Sequence, residues 1–173
     1  MRNLNKLMLF VMMGSLLTLS SCSSSDDGGS AGTAGSGTIT AKVDGTTVTS
    51  IDIASQATFT ANGGGVLILQ GTDSSGKGFV LTINGYNGTG TYDISDSNVF
   101  ISAIYIEANA TNPSATQSWS APYANSGVIG EIKVAEETDD NVKGTFSFTG
   151  KNANDDTTKV ITEGSFNLSK QTL

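Results

Sequence analysis

The chain has 173 residues, of which 37% are hydrophobic, and its 16 acidic against 9 basic residues give a formal charge of −7. That length suits one domain with a sizeable core, and the acidic balance repels phosphate backbones, which argues against nucleic acid as a partner. With no histidine and a single cysteine, Cys22, the chain lacks the imidazole of a Ser-His-Asp or Cys-His relay, the ligands of a His/Cys zinc site, and any internal disulfide.

The first segment carries Arg2 and Lys6, then an uncharged, mostly apolar run from Leu7 to Leu19, then Ser20, Ser21 and Cys22. This is the pattern of a signal peptide over residues 1–21. Its apolar run is about 13 residues long, short of the ~20 that a membrane-spanning helix needs. Leu19-Ser20-Ser21-Cys22 resembles the bacterial lipobox. The resemblance implies lipidation of Cys22, with a diacylglycerol thioether and an N-acyl group, and cleavage just before it. Losing Arg2 and Lys6 takes the formal charge from −7 to −9, so lipid and not electrostatics is expected to anchor the chain, at ~0.8 kcal/mol per buried methylene. The expected location is the outer membrane, lipid-anchored and facing outward at the cell surface, with a periplasm-facing orientation as the alternative.

Residues 22–37 follow as a Ser/Asp/Gly stretch without a large apolar side chain. Such a stretch buries too little surface to offset its conformational entropy and reads as a flexible tether. Its opening, Ser23, Ser24, Ser25, Asp26 and Asp27, resembles the serine-plus-acidic export signal of surface lipoproteins of the Bacteroidota type.

Residues 38–173 read as a single β domain, because short apolar alternations broken by Gly, Asn and Asp replace any helical period. Ile39, Ala41 and Val43 alternate, Asp44-Gly45 offers a type I′ hairpin turn, and a return strand is expected over 46–51. A strand around Phe59 precedes Val66-Leu67-Ile68-Leu69, whose unbroken apolarity predicts a strand covered on both faces. Phe79, Leu81 and Ile83 line another, and Tyr92 with Ile94 a brief one. The run 99–107 puts Phe100, Ile104 and Ile106 on one face and Ile101, Ala103 and Tyr105 on the other. A polar segment, 108–126, is long enough to be a functional loop. Beyond it Val128 to Val134, Val142 to Phe148 and Val160 to Leu168 form a three-strand meander. The expected fold is an all-β antiparallel sandwich of about nine or ten strands in two sheets of four or five, with a calycin-like open β-barrel as the alternative.

The segments ITAKVDGT (Ile39 to Thr46), GTGTY (Gly88 to Tyr92), GTFSFT (Gly144 to Thr149) and VITEGSF (Val160 to Phe166) resemble small uncharacterised flavobacterial lipoproteins of the Bacteroidota type, domains of unknown function. One departure is Val48, where similar chains often carry an aromatic residue. The resemblance implies fold and location and supplies no mechanism.

Candidate chemistry is sparse. Glu107, Glu131 and Glu163 fall on or beside expected strands, and two carboxylates roughly 5 to 10 Å apart would suffice for a glycosidase. Calcium, which takes carboxylate and carbonyl oxygens, is the metal most compatible with the composition, and Asp139, Asp140, Asp155 and Asp156 are its candidates, although neither loop has EF-hand spacing. Trp119 and Tyr123, in the long polar segment, are candidate ligand contacts, as a stacking platform or as a plug over the open end of the sandwich. The glycine clusters open no helix and so form no phosphate cradle. The expectation is a cell-envelope lipoprotein whose β module is non-catalytic, has no cofactor beyond the lipid on Cys22, and binds a glycan or an envelope protein or serves a structural role. A carrier of a small apolar ligand and a carboxylate glycosidase are the alternatives.

Overall fold

The computed structural model describes residues 33–173. The signal peptide, Cys22 and Ser23 to Asp27 lie outside the described residues. Eleven strands run in the order β1 (Thr38–Val43), β2 (Thr46–Thr49), β3 (Ser55–Thr60), β4 (Val66–Thr72), β5 (Lys77–Asn84), β6 (Gly90–Ser95), β7 (Ile101–Glu107), β8 (Gln117–Ala121), β9 (Val128–Glu137), β10 (Asn141–Lys151) and β11 (Thr158–Thr172). Two short 3-10 turns, Asp52–Ala54 and Pro113–Ala115, complete the regular structure of the described residues.

The strands form one continuous mixed sheet with a sandwich-like, all-β arrangement. One layer is β2-β1-β11-β10-β9-β6, antiparallel throughout; the other is β3-β4-β5-β7-β8, also antiparallel. Two short contacts stitch the layers together: a parallel pairing of Lys170–Thr172 with Ala57–Phe59, and the single pair Lys151 with Ser120. The expected antiparallel sandwich is therefore present with eleven strands, one of them cut from the polar segment 108–126 as β8, and with one parallel contact.

Alternation decides what each strand buries. Ile39, Ile132, Phe146 and Phe166 point inward from one layer, and Leu67, Leu81, Ala103 and Tyr105 from the other. The ring of Phe79 meets that of Phe146 edge-on across the layers, at 5.5 Å between centroids. The hairpin expected at Asp44-Gly45 is formed, with φ of +47° and +83° at the two residues.

Three expectations change. Of the run Val66 to Leu69 in β4 only Leu67 and Leu69 are enclosed, while Val66 and Ile68 are half-buried on the outer face, so that strand is covered on one side. Val99 and Phe100 precede β7 and are 68% and 65% exposed. Val160 does not share the core face with Phe166, because β11 carries a β-bulge: both its pairings shift register near Glu163, which adopts a left-handed φ of +52°. The extra residue exchanges the two faces, leaving Ile161 inward before the bulge and Gly164, Phe166 and Leu168 inward after it.

Candidate functional site

The chain enters the fold beside the Asn167 end of β11, where the Gly37 amide donates to the Asn167 carbonyl at 2.8 Å. Register carries that end across one layer: Asn167 lies opposite Lys143, Lys143 opposite Glu136, and Val134 opposite Gly90. Along β6 the far end is Ser95, five residues on and thus about 17 Å from Gly90 at ~3.4 Å per residue.

The free edge of β6 faces the start of β7 and the end of β5, and this seam is unevenly filled. Near Gly90 it is closed by Tyr86 and Tyr92, whose ring centroids are 5.8 Å apart, with the Tyr92 hydroxyl donating to the Gly88 carbonyl at 2.7 Å. The Tyr86 hydroxyl donates to Glu137 Oε2 at 2.7 Å, and Lys170 Nζ donates to Glu137 Oε1 at 2.8 Å. Burial and the Glu137 carboxylate together push the Tyr86 phenol well above the ordinary tyrosine range, so it remains a donor.

At the other end the seam stays open as a cleft of about 380 Å³, lined among others by Asn84, Thr91, Asp93, Ser95, Asn98 and Val128. Two of these side chains hold the backbone of Phe100 at its rim. Asn84 Nδ2 donates to the Phe100 carbonyl at 2.8 Å, and the Phe100 amide donates to Asn98 Oδ1 at 3.3 Å. The result is an exposed Phe100, next to exposed Val99, beside a cleft of amides, hydroxyls and one carboxylate to which exposed Val128 also contributes. The lining includes Asp93, which stands directly opposite Glu131 on β9, and contains no lysine or arginine. Sequence reading missed this cleft because its walls come from β5, β6, β7 and the start of β9, which only the fold brings together. A signal existed at Val99-Phe100, where two apolar residues in succession follow a turn and break the alternation.

Trp119 occupies a different place from the one expected. It lies on β8 and is 6% exposed, stacked on Tyr105 at 5.7 Å between centroids, with Nε1 donating to Thr157 Oγ1 at 3.0 Å. Lys159 Nζ stands 5.5 Å from the indole centroid. The ring is therefore part of the core and offers no open face, because Ser118 and Ser120 take the outward positions of its strand. Tyr123, in the following turn, is half-buried with Lys151 Nζ 5.8 Å from its ring.

The carboxylates considered earlier stand on three strands with separate surroundings. Glu107 accepts from the Tyr105 hydroxyl at 2.8 Å, Glu163 is ion-paired with Lys42 at 2.9 Å, and Glu131 faces Asp93. Among the calcium candidates, Asp155 Oδ1 accepts from the Thr157 amide and hydroxyl, and Asp156 pairs with Lys151 at 2.7 Å. Asp139 and Asp140 are exposed in the β9–β10 turn. Among the described residues no three His, Cys, Asp or Glu side chains gather as a metal-holding group. A continuous cavity lined by Phe100, Ile104 and Phe146, as a barrel-like carrier of an apolar ligand would need, is not formed by these side chains, because Phe100 is on the surface, Ile104 is on the outer side of β7, and Phe146 packs in the core.

The fold and this cleft define an all-β, sandwich-like domain with an end-on polar groove. The chain belongs to the family described as a domain of unknown function (DUF6252), which matches residues 34–168. No curated protein and no solved structure matches it.

Proposed function

We propose that this protein is a lipid-anchored lipoprotein of the cell envelope whose β body is a non-catalytic module that binds a hydroxyl-rich glycan in the cleft at the end of β6. The anchor reading rests on the leader over residues 1–21 and on Leu19-Ser20-Ser21-Cys22. The stretch Ser23 to Asp27 supports export to the outer face of an outer membrane, in the manner of surface lipoproteins of the Bacteroidota type. The acidic charge argues against nucleic acid as partner.

The observation that carries the binding reading is Phe100, 65% exposed, whose backbone is held by Asn84 and Asn98, two of the residues that line the cleft. An exposed aromatic ring on a hydrogen-bonded backbone suits the C–H face of a sugar, and neighbouring amide and carboxylate groups suit paired hydroxyls. The position supports the same reading, because an anchored chain enters at the opposite end of the strands and leaves this end directed away. A glycan array probed with the full chain tests it. Binding that falls about tenfold or more in Phe100→Ala and Asn98→Ala, with unchanged thermal stability, is the expected outcome, and binding indifferent to both removes the cleft from consideration. Mass spectrometry of the protein from its native envelope tests the anchor, and an unmodified Cys22 or an intact leader refutes it.

A further inference from the structure

We propose that the outer face of the β3-β4-β5-β7-β8 layer is the surface through which two copies of this chain associate. The two outer faces of the fold differ in charge. The six-stranded layer carries Asp93, Glu131, Lys133, Lys143, Lys42 and Glu163, among others. The strands of the five-stranded layer carry only Lys77 and Glu107, which stand directly opposite each other at one end. Two copies of an acidic chain repel wherever carboxylates meet, and a two-fold contact places each patch against its own equivalent. With Glu107 paired across from Lys77 and Asp52 beside Ile53 as a further nearby carboxylate, this sparsely charged layer is the face on which that repulsion is least.

The face is also apolar at its centre. Ile68, Val80, Ile104 and Ile106 point outward and are half-buried, Val80 lying directly opposite Ile104, and Thr58, Thr82, Ser102 and Ser120 surround them. At one side a groove of about 210 Å³ is lined, among others, by Ala54, Gln70, Thr72, Val80 and Ile106. Next to Ala54 the short 3-10 turn projects Ile53, which is 95% exposed. A projecting isoleucine beside an apolar groove on one patch is self-complementary under a two-fold axis, each Ile53 entering the groove of the other copy.

Sedimentation equilibrium of the full chain in mild detergent, from micromolar to millimolar concentration, tests the proposal. A reversible dimer is expected, weakened about tenfold or more by Ile53→Asp and by Ile104→Lys, and retained by Glu131→Lys on the opposite face. Because Ile53 is nearly fully exposed, its substitution leaves the thermal unfolding temperature unchanged, which separates lost association from lost folding. A single monomeric species over the whole range overturns the proposal, as does a dimer that survives both substitutions. A monomer retained on a neutral polysaccharide through Ile53 and Ile104 also overturns it, and assigns the face to that polymer.

Discussion

Gly144 on β10 and Phe166 on β11 stand directly opposite each other, and the Phe166 ring fills the space that a side chain at position 144 would occupy. The arrangement is reciprocal two residues along, where Gly164 lies opposite Phe146 and beneath its ring. Glycine is a poor strand residue by itself, and here each one is covered by an aromatic ring from the neighbouring strand. A methyl group at either site would also meet backbone, the Lys133 carbonyl at 144 and the Phe146 carbonyl at 164. Gly144→Ala and Gly164→Ala are each expected to destabilise the fold by about 1–3 kcal/mol through overpacking, measured by equilibrium denaturation in urea.

Acid sensitivity is expected to centre on Glu137. Burial pushes its carboxyl upward, but the hydrogen bonds from Lys170 and Tyr86 and the Lys170 charge outweigh that and hold it below its ordinary value of 4.5. A carboxyl lowered in the folded state stabilises the fold above the ordinary glutamate range, and this contribution is lost as pH falls through and below it. Glu137→Gln should flatten the acid limb of a stability-against-pH profile. Lys170→Met, which leaves the carboxylate partly buried without its ammonium, should cost roughly 2 kcal/mol at neutral pH. A Lys170→Met protein as stable as the parent would show that the pair is energetically idle.

The bulge in β11 offers a reversal of the usual strand rule. Glycine in a strand ordinarily costs ~0.5–1 kcal/mol relative to alanine. At position 163 the left-handed φ penalises any L side chain by about 1 kcal/mol or more, and both substitutions lose the same half-exposed ion pair with Lys42. Glu163→Gly should therefore be more stable than Glu163→Ala by about 1 kcal/mol. Equal stabilities, or the usual order, would contradict the bulge geometry.

Trp119 is the only tryptophan in the chain, and its burial makes it a stability residue with a spectroscopic use. Trp119→Ala is expected to cost about 3–5 kcal/mol, as large-to-small core substitutions do. In the intact protein its emission should be that of a buried indole and should remain unchanged when ligand enters the cleft beside Phe100. A large emission change on binding would place the ligand near β8 instead.

The strands themselves were legible because one layer of side chains had to face inward, so Ile39-Ala41-Val43, Ile132-Val134 and Val142 to Phe148 show their period directly. Three features were hidden for distinct physical reasons. Glu163 carries no mark of a bulge, since its backbone is set by pairing with β10 on one side and with β1, distant in sequence, on the other. Trp119 sits among hydroxyl residues, and Ser118 and Ser120 are polar because that side of β8 faces out, so a two-position apolar alternation read as loop. The cleft depends on where β6 runs out against β7, a tertiary relationship that no local pattern encodes.

The separation between the Gly37 entry point and the Phe100 cleft has a mechanical corollary. On the proposed reading, a pull between a ligand held at one pole and an anchor at the other would run nearly along the strands, from β6 through β9, β10 and β11 to β1. Load in that direction stretches the hydrogen-bonded rungs of β1 against β11 together instead of peeling them one by one, so the body should resist traction at its stem far better than prying across its width.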